Sequence, residues 1–420
     1  MILAHGKIFE KDKENRILSA LSDETNETLL NKTIDREKLI STIDIISKKL
    51  KDGEYNGILS GIDTDGLDGY VSQAAEMLSA EGLKKNLSAQ IPEPAQNDMI
   101  SAKYYPAGVL LHIAAGNVDV LPAYSVLTGL LCGNVNILKL PSQDDGLTVK
   151  ILYELIRLMP ELADFIYVFD TPSSDVASIC EMAKAADVIV VWGGDEAVSA
   201  VRRLAPPYTR VVCWGHKIGF AYIGADYEKR PGELAELAEH IIKTSQFLCS
   251  SCQRIYVDSA DPADADRFCR YFLPVLQAAR DKRPLKDTGA AAENTIFRYS
   301  RRIERSLGVT DGKRYYDGDC CTLAAKDDPT LEISGFFGTV DVTALPLEKL
   351  FYVLREKKGY LQTACVIADE NTKKRAEEIM VRAGVTRIMK PSDMSKTFSG
   401  EAHDGEFELL NYMRIINREK

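Results

Sequence analysis

The sequence predicts an α/β protein made of two doubly wound domains, and three observations carry the prediction. At 420 residues the chain is longer than one hydrophobic core usually supports. From Lys103 onward, apolar runs of strand length alternate with segments of helical period, the rhythm of βαβ units around a parallel sheet buried on both faces. Past Trp214 the same rhythm resumes, without a clear internal sequence repeat.

From the N-terminus to about Leu87 the chain is polar and helical in period. Ser22-Asp23 and Asp35 are candidate helix caps, and the segment beginning at Asp35 sets Leu39, Ile40, Ile43, Ile46 and Leu50 near one face. These are expected to be surface helices packed on a core formed by later residues. The first βαβ unit reads as strand 108–113, a Gly-Asn turn, helix 120–132 and strand 134–140. Helix 148–158, strand 165–169, helix 175–186, strand 188–192, the turn Gly193-Gly194-Asp195-Glu196 and helix 197–204 continue the pattern. Beyond Pro206-Pro207 come strands 210–213 and 218–223, helix 233–244, strand 254–257, helix 263–280, strands near Val340 and at 365–368, helix 373–383 and strand 385–389. A Gly-containing loop at 399–405 and an apolar stretch at 409–416 end the sequence. The expected division is a nucleotide-binding domain with N-terminal helices at 1–213, a thiol-bearing domain at 214–389, and a tail at 390–420 packed on the body or on a neighbouring subunit.

Composition narrows the function. A net charge of -10 and a pI near 5.3 argue against a nucleic-acid partner, because phosphate binding requires concentrated Lys and Arg. The longest apolar run, 118–131, contains Asp119 and Pro122 and is too short to span a bilayer. The start lacks a signal-peptide pattern, and nine cysteines in a chain of this length do not form a small disulfide framework. A reducing, cytoplasmic setting is therefore expected. Five histidines and no metal-ligand spacing argue against a metal site.

The chemistry concentrates in the stretch Lys243 to Val257, KTSQFLCSSCQRIYV. Cys249 and Cys252 sit among small polar residues just before a strand. A loop thiol there is accessible, and neighbouring backbone N–H groups can stabilise a thiolate and later an oxyanion, which suggests covalent attack on an acyl carbon. Two other readings stand beside it: a cysteine as a small buried hydrophobe, and Cys249-Ser-Ser-Cys252 as a C-x-x-C redox pair, although such pairs usually open a helix. No G-x-G-x-x-G follows any strand of the first domain. Gly193-Gly194 can still let a cofactor approach the backbone, and Lys139 at a strand end can meet a ribose or phosphate; against these stand a plain turn and a solvated lysine. His403 is either a substrate contact or a loop residue.

Three motifs, AAGNVDVLPAYSVLTGLLCGNVNILKLPSQD, VVWGGDEAV and QFLCSSCQRIYV, follow one another in the order found in the aldehyde dehydrogenase superfamily. Within it, the chain resembles the LuxC-type fatty acyl-CoA reductases. The resemblance is strongest over 103–257 and implies an aldehyde-dehydrogenase-like fold with cofactor-binding and catalytic domains. It assigns Cys249, five residues before Arg254, as the nucleophile and Asn117 as the asparagine facing the same acyl carbon; Cys252 is not matched. Lys139 matches the lysine that binds the adenosine ribose. Ser142 stands where many NAD-preferring members have a glutamate, which favours NADPH, with NADH possible. Trp192, Gly193 and Gly194 fall where the strand-to-helix turn meets the cofactor. Cys213 occupies the place of the glutamate that activates water in hydrolytic members, so the thioester should not be hydrolysed readily. The segment from Glu332 to Gly338 is a shifted form of a motif whose glutamate contacts the nicotinamide ribose, and Glu332 receives no assignment.

The resemblance thus implies NADPH-dependent reduction of an acyl-CoA or acyl-protein thioester, of fatty chain length, to the aldehyde. The route is a Cys249 thioester, with Asn117 and the Cys249 backbone N–H as oxyanion donors. Acyl-phosphate reduction is disfavoured by the lack of a cationic cluster flanking the cysteine loop in sequence. A short-chain CoA-acylating aldehyde dehydrogenase and, from another class, a non-enzymatic redox or scaffold subunit using Cys249/Cys252 are the alternatives. A homo-oligomer and acyl-activating or acyl-transferring protein partners are further implications.

Overall fold

The computed structural model describes residues 1–56, 64–94, 96–115, 120–142, 144, 146–285, 288–308 and 311–420. They divide into two compact units. The first comprises Met1–Ile62, Leu67–Gly215 and Thr397–Lys420, and the second Asp63–Gly66 and His216–Lys396.

In the first unit the strands are β1 (Ile2–Ala4), β2 (Lys7–Phe9), β3 (Ile100–Pro106), β4 (Val109–Ile113), β5 (Val135–Lys139), β6 (Ile166–Phe169), β7 (Val188–Trp192) and β8 (Arg210–Trp214). Helices α1 (Glu14–Asn31), α2 (Arg36–Lys51), α3 (Thr64–Leu78) and α4 (Ala80–Gln90) come first. They are followed by α5 (Leu121–Leu131), α6 (Leu147–Leu158), α7 (Val176–Ala185) and α8 (Asp195–Leu204). The sheet runs β2-β1-β6-β5-β4-β7-β8, parallel from β6 to β8, with the β1–β2 hairpin antiparallel at one edge. Strands β4 to β7 are almost wholly buried, which is why they read as continuous apolar runs and not as alternating ones. Chain order reverses between β4 and β7, the position at which open α/β sheets form a crevice beyond their carboxyl ends.

The amphipathic face expected on α2 is present. Asp35 caps the helix by accepting from the Lys38 N–H, and Leu39, Ile40, Ile43, Ile46 and Leu50 are buried in the core of the first unit. Ser22 and Asp23 are not caps. They lie exposed inside α1, whose inward face is Leu18, Leu21, Thr25 and Thr28, so the helix runs straight past them. Helix α8 begins at Asp195, two residues earlier than its apolar period indicates.

The second unit contains β9 (Ile218–Ile223), α9 (Pro231–Thr244), β10 (Cys252–Val257), α10 (Ala263–Lys282), α11 (Thr288–Ser306), β11 (Lys313–Asp317) and β12 (Thr322–Lys326). It continues with β13 (Thr339–Ala344), α12 (Leu347–Arg355), β14 (Leu361–Ile367), α13 (Glu370–Ala383) and β15 (Arg387–Ile388). Its sheet order is β11-β12-β13-β10-β9-β14-β15, parallel except for the β11 edge. The strand expected at 385–389 shrinks to two residues.

The chain then returns to the first unit. Helix α14 (Glu408–Asn411) leads into β16 (Met413–Glu419), which pairs antiparallel with β3 along its whole length. Leu409, Tyr412 and Met413 join Val190, Trp192 and Trp214 in one apolar cluster. Among the described residues no helix is long and apolar enough to cross a membrane, and no group of His, Cys, Asp or Glu is arranged to hold a metal ion.

Candidate active site

The sequence-predicted cofactor residues cluster at the carboxyl ends of the first unit's parallel strands. Lys139 is the last residue of β5 and is buried, contrary to the solvated-lysine reading; its Nζ donates to Ser173 Oγ at 2.9 Å. Burial lowers its pKa from the ordinary lysine value, partly offset by Asp170. An ammonium held out of water against a neutral hydroxyl is under-compensated and suits a ligand oxygen or phosphate. Ser142 is exposed in the turn after β5. Trp192 ends β7, the neighbour of β4 at the reversal, and Gly194 is the N-cap of α8, with no side-chain cap bond.

A buried polar network fixes Trp192. Its indole Nε1–H donates to Ser125 Oγ at 3.0 Å, and Ser125 Oγ lies 2.7 Å from His112 Nδ1. His112 Nε2 lies 3.0 Å from Asn136 Oδ1. Since an amide oxygen only accepts, the tautomer is Nε2–H, with Ser125 donating to Nδ1. Burial pushes the His112 pKa down to about 4, against the opposing Asn136 bond, so the ring is neutral. A methyl group on Gly129 would come within 1.9 Å of Asn136 Oδ1, so α5 can lie against β5 only because that residue is glycine. From the C-terminal segment, Glu408 accepts from Tyr124, Thr128 and Tyr412 hydroxyls, and burial raises its pKa. His403 stands against the Trp192 and Trp214 rings at 5.2 and 4.9 Å between centroids. It lies in the loop before α14, as the loop reading expects, and belongs there to an aromatic cluster of which sequence spacing gave no sign.

The thiol lies at the opposite kind of strand end. Ser251 N–H donates to Leu248 O at 2.9 Å, and Leu248 N–H donates to Ser251 Oγ at 3.1 Å, closing a tight turn whose central residues are Cys249 and Ser250. Cys249 is thereby exposed, immediately before the amino end of β10. Cys252 is fully buried; its Sγ donates to Arg254 O, and burial pushes its pKa up to about 12. One thiol of the C-x-x-C spacing is accessible and the other is locked in the core as a small hydrophobe.

Topology explains how the turn is held. Strands β10 and β13 are adjacent and parallel, so the loops entering them lie side by side. Gln246, buried, donates from Nε2 to Ser334 Oγ at 2.6 Å, Thr339 O at 3.0 Å and Cys252 O at 3.1 Å, and its Oε1 accepts from Gly338 N–H at 3.0 Å. Gln253 Nε2 donates to Gln246 O at 2.7 Å, while its Oε1 accepts from Ser334 N–H and Oγ–H. His240 accepts from Cys252 N–H at 3.3 Å; burial, helped by nearby Lys243, pushes its pKa down to about 3, so it is a neutral acceptor. On the β9 side, a methyl group on Gly219 would lie 2.6 Å from Ser251 O and 3.0 Å from Ser250 O, so only glycine admits the cysteine turn.

Strain accumulates here as well. Ser245 and Gln246 (φ 45° and 66°) and Phe336 and Phe337 (φ 56° and 47°) are left-handed non-glycine residues in two consecutive pairs. Each costs about 1–2 kcal/mol and persists only where surrounding bonds over-determine the backbone. Phe337 N–H donates to Ser245 O at 3.1 Å, linking the two pairs directly.

Arg254 is the largest fully buried side chain among the described residues, ion-paired at 3.2 Å to Asp341, the residue opposite it on β13. Lys313 and Lys326 also reach Asp341, at 3.1 and 3.4 Å. Arg254 therefore anchors the strand behind the thiol. Asn117 lies outside the described residues. Glu332 is exposed, 3.6 Å from Lys326, and Cys213 ends near Arg202 at 3.9 Å. The clamp residues Gln246, Gln253, Ser334, His240 and Gly219 escape sequence reading, because their roles exist only once β9, β10 and β13 are neighbours.

The two units together have the aldehyde dehydrogenase superfamily fold, as expected from the motifs. Methylmalonate-semialdehyde dehydrogenase from Oceanimonas doudoroffii superposes with a TM-score of 0.75 at 14% identity, over 100% of this chain and 97% of that one. A 3,6-anhydro-L-galactose dehydrogenase in complex with NAP gives 0.72 at 13% identity, over 100% and 99%. Betaine aldehyde dehydrogenase from Staphylococcus aureus in complex with NAD+ gives 0.71 at 14%, over 98% and 90%. The chain belongs to the family described as acyl-CoA reductase (LuxC), whose model matches residues 32–415.

Curated relatives agree. The chain is 27% identical over 335 residues to a long-chain acyl-protein thioester reductase of Aliivibrio fischeri, covering 76% of this chain and 65% of the relative. To one of Photorhabdus laumondii subsp. laumondii it is 29% identical over 157 residues, covering 37% and 32%. The matched stretches thus span from about a third to just under two thirds of these relatives' lengths.

Proposed function

We propose that this protein is a nicotinamide-dependent reductase that converts an acyl thioester to the aldehyde through a covalent thioester on Cys249. The observation that carries the proposal is the division of labour between the two thiols of the cysteine turn. Cys249 is presented at the tip of a clamped turn while Cys252 is buried. Membership of the acyl-CoA reductase family and the names of the curated relatives support the same chemistry.

In this reading the Cys249 thiolate adds to the thioester carbonyl carbon, the carbon–sulfur bond to the carrier breaks, and the carrier leaves as its thiol. The oxyanion formed in each addition accepts from the Cys249 N–H and from the Asn117 amide, the latter assigned by family resemblance; such donors contribute about 3 kcal/mol each. Covalent capture splits a difficult reduction into two easier steps. Collapse of the reduced adduct releases the aldehyde and returns the thiolate.

The first unit's residues fit a nicotinamide dinucleotide at its ribose end. Lys139 and Ser142 would hold the adenosine ribose, with Ser142 leaving room for a 2′-phosphate, and Trp192-Gly193-Gly194 would line its approach at the strand reversal. Asp195 and Glu196 open α8 with negative charge, so the diphosphate gains no neutralisation there. When bound, the cofactor supplies the hydride that reduces the acyl carbon. With no base at Cys213's position, water attack on the Cys249 thioester is unassisted.

The test follows consumption of reduced nicotinamide with acyl-CoAs from two to sixteen carbons, with NADPH and NADH in parallel, for the native protein and Cys249→Ala. Aldehyde formation that falls at least a thousandfold in the variant is expected. Unchanged turnover in Cys249→Ala would overturn the assignment. A rate highest with acetyl-CoA would place the protein among short-chain acylating dehydrogenases.

A further inference from the structure

We infer that Phe247, Phe336 and Phe337 form an aromatic ledge that sets the acyl-chain preference by taking the methylenes next to Cys249; this deepens the thioester-reductase reading and rests on it. Phe247 lies two residues before Cys249, so their Cα atoms are within about 7 Å of each other. Although it is on the thiol's own loop, Phe247 is 54% exposed. Its ring stacks on Phe336 at 5.1 Å and 17°, and meets Phe337 edge-on at 5.0 Å and 80°. The apolar surface continues through exposed Ile333 and through Phe297 of α11, whose Cε1 lies 3.6 Å from a methyl group built on Gly335.

Core packing does not explain this cluster, because its rings remain partly in water. Nor does backbone preference, because Phe336 and Phe337 are successive bulky residues at φ 56° and 47°, where side chains of that size are outliers. The conformation is enforced. Thr339 N–H donates to Phe336 O at 2.8 Å, Arg280 Nη2 donates to Phe337 O at 3.0 Å, and the Phe337 N–H bond to Ser245 ties the loop to the cysteine turn. A strained segment that keeps aromatic rings at the surface beside a nucleophile is a ligand-facing device. A thioester reacting at Cys249 has its alkyl chain attached to the reacting carbon, so the ledge is within reach of the first methylenes. Each methylene buried on it adds about a fourfold preference.

The experiment uses the full chain carrying Cys249→Ala, which cannot be acylated, titrated calorimetrically with tetradecanoyl-CoA and with acetyl-CoA. The expected result is at least tenfold tighter binding of the long chain. That preference should shrink at least fivefold when Phe336→Gly, which also relieves the left-handed strain, is added. Phe247→Ala, which removes the opposite ring of the stack without touching a left-handed residue, should produce the same loss. A parent with no chain-length preference, or a preference that survives both substitutions, overturns the ledge. Intact mass measurement of the native protein after mixing with tetradecanoyl-CoA separates the two claims. A ledge-dependent preference without any mass gain on Cys249 would keep the ledge and remove the covalent mechanism.

Discussion

The two units use opposite ends of similar sheets. In the first, the residues we assign to the cofactor, Lys139 and Trp192-Gly193-Gly194, lie at the carboxyl ends of parallel strands, where chain order reverses and open α/β sheets form a crevice. In the second, Cys249 precedes the amino end of β10, where no crevice is guaranteed. There the chain supplies by side chains what topology does not: a clamp of Gln246, Gln253 and Ser334, a neutral His240 acceptor, and a glycine that makes room. A carboxyl-end site is inherited with the fold, whereas an amino-end site has to be built, and so it should be more fragile.

The sharpest test of that contrast is Gly219→Ala. The added methyl group meets backbone oxygens of Ser250, Ser251 and Thr363 at 2.6–3.0 Å, so the cysteine turn must move. We expect turnover to fall about a hundredfold, the scale of an ångström-level misplacement, while Cys249 still reacts with a small thiol reagent. Turnover within twofold of native would show that the turn is not held by this contact.

At the carboxyl end, Lys139→Met should act more gently. It removes the charge but preserves the packing, so the KM for reduced nicotinamide should rise about tenfold while acylation of Cys249, read by intact mass, proceeds as before. Melting temperature should hold or rise, because a half-compensated buried ammonium is costly. Loss of acylation in this variant would mean that the two ends are not separable.

The remaining effect is on stability against pH, and here the units behave alike. His112 in the first and His240 in the second are buried and neutral, with pKa values pushed to about 4 and about 3. An unfolded histidine titrates near 6.5. Between that value and the folded ones the unfolded chain binds protons that the folded chain does not. Stability therefore falls on acidification below about pH 6.5, by roughly 1.4 kcal/mol per histidine per pH unit at full slope. Denaturant unfolding at pH 7 and pH 5 measures it, and equal stability at both would contradict the buried neutral assignment.

The contrast also explains what could be read from sequence. Strands β4 to β7 were legible because burial on both faces writes them as unbroken apolar runs, and α2 because Asp35 caps a clean apolar stripe. Helix α11 was not, because Ile296, Tyr299 and Ile303 stay exposed and its arginines mask the period. The cysteine stretch could be singled out from its place before a strand, but the choice of Cys249 over Cys252 came only from the family resemblance, which sets the nucleophile five residues before an arginine. Its supports could not, because Gly219, Gln246 and Ser334 are far apart in sequence and meet only through strand pairing. Lys139 misleads in the other direction: a strand-end lysine reads as solvated, yet this one is buried.

The return of residues 397–420 to the first unit has a consequence for biosynthesis. Glu408, Leu409 and Tyr412 complete the interior beside Trp192 and Tyr124, but they are translated only after the entire second unit. On the ribosome the second unit, contiguous apart from Asp63–Gly66, has all of its strands first. The first must wait with α5 and the β7–β8 surface uncovered. The older half of the nascent chain is thus the last to mature, and it is the half that a chaperone would need to shield longest.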